Sequence, residues 1–498
     1  MLRRLTRTKS LDAILAEGEA PDRQLKRALG AFDVVMLGIG AIVGAGIFAT
    51  IGTAAAGDAT RPGAGPALIL SFVFTGVACG FAALCYAEFA AMVPISGSAY
   101  TYAYATLGEL VAWIIGWDLI IEYAVGNVAV AISWGNYFKT LMSGFGLIIP
   151  GWLSTDYRTA AHIPGLFESA PHVFGIPIVF NILALAIVAL ITVLLVVGIR
   201  ESATANAAMV GLKLVVLGFF VLVGWGYTKG ANFKPFAPNG WAGVQAGAAI
   251  VFFAYIGFDA VSTVAEETRN PARDLPIGII GSLVICTFIY IVVAAVFAGM
   301  IPYDVLRQKL ATEQAEPLTM ALQYVSIERW GGLFVGVVAF GSVVAHTAVL
   351  LVFQLGQPRI FFSMARDGLL PAAFARVHPR FRTPHVTTIL TGVVVGVCAM
   401  FTSIDEMVDL TNIGTLFAFV LVCVGILILR KREPGRPRAF RVPLVPLVPV
   451  LGVVSCLYLM LGLPWITWIR FALWLAVGLV VYGLYGARKS KLSRISQT

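Results

Sequence analysis

Charged residues are the scarcest feature of this chain: Asp, Glu, Lys and Arg make up 12% of its 498 residues, against about 25% in soluble domains. That deficit excludes an ordinary water-soluble enzyme or binding domain. Histidine is scarce too, with five copies, and the six cysteines (Cys79, Cys85, Cys286, Cys398, Cys423 and Cys456) all fall in apolar stretches without metal-ligand spacing. They read as small buried hydrophobes, and no metal site is expected. There is no HExxH helix, no GxSxG elbow and no paired Asp/His cluster, so no catalytic residue is assigned and no enzyme is expected. The first 32 residues are polar and basic and lack the apolar core of a secretory signal, which keeps the N-terminus in the cytoplasm.

What the chain does have is apolar length. Hydrophobic residues make up 59% of it, and they come in blocks of about 20, the number a helix needs to cross a bilayer core. Twelve blocks qualify: 33–56, 66–93, 107–137, 176–198, 203–227, 241–265, 276–300, 331–357, 385–402, 408–429, 442–462 and 467–486. An all-α polytopic membrane protein with about twelve transmembrane helices follows. Its parts are a cytoplasmic N-terminal segment (1–32), a core (33–430, with halves 33–227 and 241–430), a basic linker (431–441), two further helices (442–486) and a tail (487–498). The loop 138–175, with Pro150, Pro164 and Pro171, has room for short surface helices only, and the basic, amphipathic loop 358–384 is expected along the membrane surface. Residues 10–19 suggest a short amphipathic helix before the first span.

The formal net charge of +9 is a topology signal. With loops assigned alternately to the two sides, 25 of the 35 Lys and Arg residues fall on the side holding the N-terminus, 9 on the other, and Lys213 lies inside a span. Basic loops stay in the cytoplasm, so both termini are predicted inside, and no nucleic-acid partner is implied. The linker's basic residues also suit contact with anionic lipid headgroups.

Two blocks carry an internal weakness. The first contains Gly38, Gly40, Gly44 and Gly46, and the sixth contains Gly257 directly after Ile256. Each glycine costs a helix about 1 kcal/mol relative to alanine. On the residues alone two readings stay open for the first block. The glycines could let a neighbouring helix approach closely, or the helix could unwind at 43–46 and free backbone amides for an anionic group such as a carboxylate. Interrupted spans in corresponding positions of two halves are a pointer to a transporter binding site.

Ionisable groups inside spans are costly, at least about 2.5–3.5 kcal/mol each, and so mark candidate function. Lys213 lies roughly 15 Å into the fifth block at 1.5 Å per residue, and it is either a structural lysine paired with a carboxylate or a proton carrier. Glu122, one helical turn after Asp118, is a candidate partner for a basic group such as Lys213 or for a substrate ammonium. Asp259 is a candidate cap for backbone freed in the sixth block. Glu88 is a candidate gate or loop anchor at the end of the second block. Glu266, Glu267, Arg269 and Arg273 form a charged cluster at the cytoplasmic mouth.

A set of ordered motifs then resembles a known family. Ala31-Phe32-Asp33 with the glycine string 38–48 resembles the opening span of the amino acid–polyamine–organocation superfamily. Glu88–Tyr100, Gly116–Tyr123, Gly198–Ser202, Gly257-Phe258-Asp259 with Glu266–Pro271, and Gln357-Pro358-Arg359 with Arg366–Pro371 narrow the resemblance to the cationic amino acid transporter family and its bacterial permeases, over about residues 25–486. The resemblance implies a LeuT-type fold of two inverted five-helix repeats plus two C-terminal helices. It implies a substrate carboxylate on the amides of Gly44, Ala45 and Gly46, and an ammonium on carbonyls near Ile42, Phe253, Ala254 and Ile256, with Phe253 as an aromatic gate. It places Lys213 where sodium-coupled members hold an ion, so a proton is the implied coupling ion and no other cofactor is. His346 departs from the family, standing where relatives carry a pocket-lining Met or Ser, and it is taken as a candidate substrate-binding residue. The function implied is proton-coupled uptake of L-amino acids through the cell membrane, with exchange, or transport of polyamines or amines, as the alternatives. A small single-span subunit is a further implied partner.

Overall fold

A computed structural model describes residues 8, 27–93, 98–198, 203–312, 316–325, 331–381 and 383–491. The candidate helix at 10–19 and part of the motifs at 94–97 and 199–202 lie outside them. Among the described residues, nine helices are long and apolar enough to span a bilayer, and three shorter apolar helices accompany them. In chain order they are α1 (Ala31–Ala56), α2 (Gly65–Met92), α3 (Glu109–Gly144), α4 (Ile182–Val197), α5 (Ala203–Trp225), α6 (Gly240–Glu267), α7 (Pro271–Met300), α8 (Gly331–Arg366), α9 (His385–Phe401), α10 (Ile404–Arg432), α11 (Leu447–Leu461) and α12 (Trp465–Lys489). Together they make an all-α polytopic bundle.

Several boundaries differ from those read in the sequence, each for a local reason. Helix α4 starts at 182, because Asn181 caps it by accepting from the Ala184 amide at 3.0 Å. The residues just before it, Ile176–Pro177, instead pair with His172–Val173 in a short hairpin. The loop before that hairpin holds three one-turn helices, Gly151–Ser154, Tyr157–Ala160 and Leu166–Ser169. Helix α8 continues through Pro358 to Arg366, so the first third of the expected surface loop is helix. A proline inside a membrane helix is tolerated where neighbours satisfy the freed backbone. Helix α11 begins at Leu447 because Pro443 and Pro446 hold the preceding residues out of helical geometry.

Burial separates the centre of the bundle from its rim. In α6, 94% of the most apolar window is buried, and in α1 78%, whereas in α12 the share is 22%. Large apolar side chains such as Leu222, Phe288, Leu461 and Leu473 face outward. Such exposure suits lipid contact and would be untenable in water. The two helices with internal glycines are therefore among the bundle's most buried, and α7 packs along both α1 and α2 to hold them there.

Candidate functional site

Both candidate breaks exist, and they abut. The first helix of α1, Ala31–Ile42, ends where Val43 turns extended (φ −77°, ψ 103°), and the chain resumes as a π-turn, Gly46–Thr50. Helix α6 tightens into a 3-10 turn at Phe252–Tyr255, Ile256 is extended (φ −62°, ψ 134°), and Gly257 sits at φ +122°, open to glycine alone at no strain. The two glycines fit each other's backbones. A Cβ on Gly46 would lie 2.1 Å from the Ala254 Cα, and one on Gly257 would lie 2.8 Å from the Ala41 carbonyl group. Close approach and unwinding, the two readings left open by the sequence, are thus both present in one structure.

The break exposes helix ends, which leave carbonyls on one side and amides on the other without intrahelical partners. The carbonyl end is occupied. Lys213, fully buried on α5, donates from Nζ to the Gly40 oxygen at 2.7 Å and the Val43 oxygen at 3.1 Å. A cation at a helix C-terminus is favoured by the partial negative charge there. Helix α7 adds a group that sequence reading missed. The Tyr290 hydroxyl lies 3.0 Å from both the Ile42 and Ala254 oxygens, linking the two broken helices. A lone tyrosine in an apolar span carries no sequence signal for such a role.

Glu122 occupies a π-turn, Ile121–Val125, inside α3. π-turns within α-helices often mark functional sites. Its neighbours correct the idea of a pairing with Lys213. The Glu122 carboxyl lies beside that of Asp259 and near the Thr415 hydroxyl. Asp259 in turn lies against the backbone amides of Gly257 and Ala260, with the Tyr123 hydroxyl 3.5 Å away, as a cap on the α6 break would.

His346 is fully buried on α8, one side of its ring 5.8 Å from Phe48 of the α1 π-turn and 5.6 Å from Tyr137 of α3. Its Nδ1 lies 2.6 Å from the Ser342 carbonyl, which can only accept, so Nδ1 carries the hydrogen. Nε2 then pairs with the Ser133 hydroxyl at 2.8 Å. Both ring nitrogens are engaged within the protein. One turn further along α8, Val349 closes on Gly44.

The two ends of the bundle differ. At one end a cavity of about 1180 Å³ runs between the loop after α1, the loop before α4, the helix Tyr303–Thr312 and the start of α10, and descends to Ala49 and Thr50, one turn beyond Gly46. Arg61 bridges its rim, bonding Asp58 at 2.6 Å and Asp409 of α10 at 2.7 Å. Burial raises the Asp58 carboxyl, but the charge of Arg61 together with hydrogen bonds from Thr60 and Arg61 outweighs it and holds the group below its ordinary range. At the other end the chain before α1 is laced to the end of α6, with the Leu29 amide bonding the Glu267 oxygen at 3.0 Å and the Arg269 amide bonding the Leu29 oxygen at 2.9 Å. There Glu88, fully buried, accepts from Arg430 at 2.8 and 2.7 Å, from the Val442 amide at 2.7 Å, and pairs with Arg438 at 3.1 Å. Glu88 thus anchors the basic linker.

A helical bundle with two broken helices meeting at its centre, a buried lysine on the break and a vestibule at one end is the architecture of a secondary transporter. The amino acid permease family profile matches residues 29–483, and the chain belongs to that family. It is 46% identical to the branched-chain amino acid permease BcaP of Bacillus subtilis, covering 98% of this chain and 99% of that one. It is 43% identical to the methylthioribose transporter of the same organism, with the same coverage. It is also 37% identical to the vacuolar cationic amino acid transporter 4 of Arabidopsis thaliana, over 86% of this chain and 68% of that one. The protein is therefore a multi-pass membrane permease of the amino acid–polyamine–organocation superfamily, a transporter and not an enzyme.

Proposed function

We propose that this permease takes up L-amino acids across the cytoplasmic membrane by alternating access, coupled to protons through Lys213. The observation that carries the reading is the Lys213 ammonium on the Gly40 and Val43 oxygens, at the end of the first half of α1. A protonated lysine there satisfies the broken carbonyl end, and a neutral one withdraws its charge from it, so its proton tunes the geometry of the residues beside it. Those residues, Gly44, Ala45 and Gly46, open the second half of α1, whose amides suit a carboxylate. The ammonium of the same substrate falls to the carbonyls of Ile42, Phe253, Ala254 and Ile256, two of which already accept from Tyr290. Backbone alone then recognises the part common to all amino acids, while Phe253, Val349 and His346 form the side-chain wall. The vestibule faces the outside and the Glu88 end, with both termini, the cytoplasm, a reading that the distribution of basic residues supports.

The test is uptake of the twenty labelled L-amino acids into liposomes with an inward proton gradient, with putrescine and methylthioribose as competitors. Wild type accumulates at least one amino acid against its gradient and a protonophore abolishes this. Lys213→Gln loses gradient-driven accumulation while substrate counterflow persists. Accumulation by Lys213→Gln that still responds to the proton gradient would overturn the role of the lysine. Transport of putrescine or methylthioribose in preference to every amino acid would overturn the carboxylate site.

A further inference from the structure

The vestibule contains one acid that its architecture does not explain. Glu316 occupies the N-cap position of the helix Pro317–Tyr324, where a carboxylate ordinarily turns back onto the first amides, yet its side chain makes no capping bond. It is buried (5% exposed) while lining the cavity. Its Oε2 has no hydrogen-bond partner among the described residues. The carboxyl is directed at α3 instead, next to Asn136 and Tyr137, and burial pushes it up to about 8.

From there polar groups continue inward. The Tyr137 hydroxyl, in contact with Glu316, bonds the Phe48 oxygen in the α1 π-turn at 2.7 Å and lies beside the Ser342 hydroxyl of α8. That Ser342 oxygen is buried with no hydrogen-bond partner of its own. Ser342 is one turn from His346, and its neighbour Gly341 touches Val216, one turn from Lys213 on α5. Lys213 is close enough for its charge to act on His346. A buried acid on the vestibule wall, a phenol and a hydroxyl therefore follow one another inward from the cavity.

We infer that Glu316 is the outward proton-loading site of this transporter, taking protons from the vestibule for delivery inward past Tyr137 and Ser342; the inference rests on the proton-coupled reading above. In the net transfer the Glu316 O–H bond breaks and the proton ends on the lone pair of neutral Lys213, so Glu316 becomes a carboxylate and Lys213 an ammonium. Tyr137 and Ser342 stand on the first part of that way. The other charges around the cavity are largely tied up. Arg61 is held by Asp58 and Asp409, Arg158 by Glu406, and Asp405 accepts from Thr53 at 3.3 Å. His162 bonds the Arg158 oxygen at 2.9 Å, and Arg307 lines the cavity from the helix Tyr303–Thr312. From α3 the ionisable group at Glu316 is Tyr137, and α8 presents Ser342 and His346.

The test uses the full-length protein in liposomes loaded with a pH dye, with an equimolar mixture of the twenty L-amino acids added outside. In wild type the substrate-triggered proton influx falls as external pH rises through about 8, because the loading carboxyl is then ionised and empty. Glu316→Gln slows that influx at least about tenfold, a modest part of what a positioned proton-transfer group contributes, and flattens its dependence on external pH. Amino acid counterflow persists in that variant, and Glu316→Asp restores part of the proton influx. Tyr137→Phe slows influx in the same direction. A Glu316→Gln protein with wild-type influx and pH profile overturns the inference while leaving proton coupling intact. Loss of counterflow along with influx shows a structural role and also overturns it. A wild type without substrate-triggered proton influx overturns the proton-coupled reading itself, and this inference with it.

Discussion

The two ends of this permease hold their charge in different ways. At the Glu88 end a single fully buried carboxylate gathers two arginines and a backbone amide, and backbone bonds join the start of α1 to the end of α6. At the vestibule end the ion pairs are separate, a buried Arg61 with Asp58 and Asp409 and an exposed Arg158 with Glu406, and a cavity of about 1180 Å³ reaches to within a turn of the broken helices. Buried, multiply bonded charge makes a rigid closure, because removing one partner strands the others in low dielectric. An exposed pair such as Arg158 with Glu406 is exchanged for water at little cost. The structure is therefore open towards the vestibule and sealed at the other end, one of the two states that alternating access requires.

Breaking the sealed end should have the largest effect. Glu88→Ala leaves Arg430 and Arg438 without their carboxylate, a loss on the order of 3–5 kcal/mol for a buried pair, and should lower the thermal midpoint strongly in detergent. A midpoint close to wild type would mean that the linker is held by other contacts. At the vestibule, Asp409→Asn removes one of two anions from a buried arginine, worth about 1.5–3 kcal/mol for a charge-assisted bond. It should raise the labelling rate of a cysteine introduced at Thr53, which lines the cavity, without a comparable drop in the midpoint. If labelling is unchanged, Arg61 does not control access. The smallest effect belongs to Arg158→Ala. Its side chain is 56% exposed beside Glu406, so a change of about 0–1 kcal/mol is expected, and a large shift in the midpoint would show that the loop before α4 is structurally essential.

The parts legible in the sequence are those where a residue type is expensive. Glycines weaken a helix, and a lysine resists burial, so Gly44, Gly46, Gly257 and Lys213 stood out in otherwise apolar blocks. The twelve apolar helices were legible for the same reason, since a bilayer demands length and hydrophobicity together. The ends of α4, α8 and α11 were less legible, because a cap from Asn181 and the tolerance of Pro358 depend on what each residue meets. Glu122 stood out by its charge, but its neighbour proved to be Asp259 across the bundle. Glu316 has no such signal, because an acid in a polar stretch between two spans costs nothing until the fold buries it.

The sequence by itself determined that this chain crosses a membrane many times, which family it resembles and where two of its helices are weakest. Those are consequences of composition and local propensity. Tertiary structure alone decided that the two failures meet, that Lys213 fills one broken end, and that Tyr290 links the two. It also decided that Arg61 reaches Asp409, 348 residues away in the chain. Such pairings depend on the packing of helices distant in sequence, and no local pattern encodes which distant side chain will be facing.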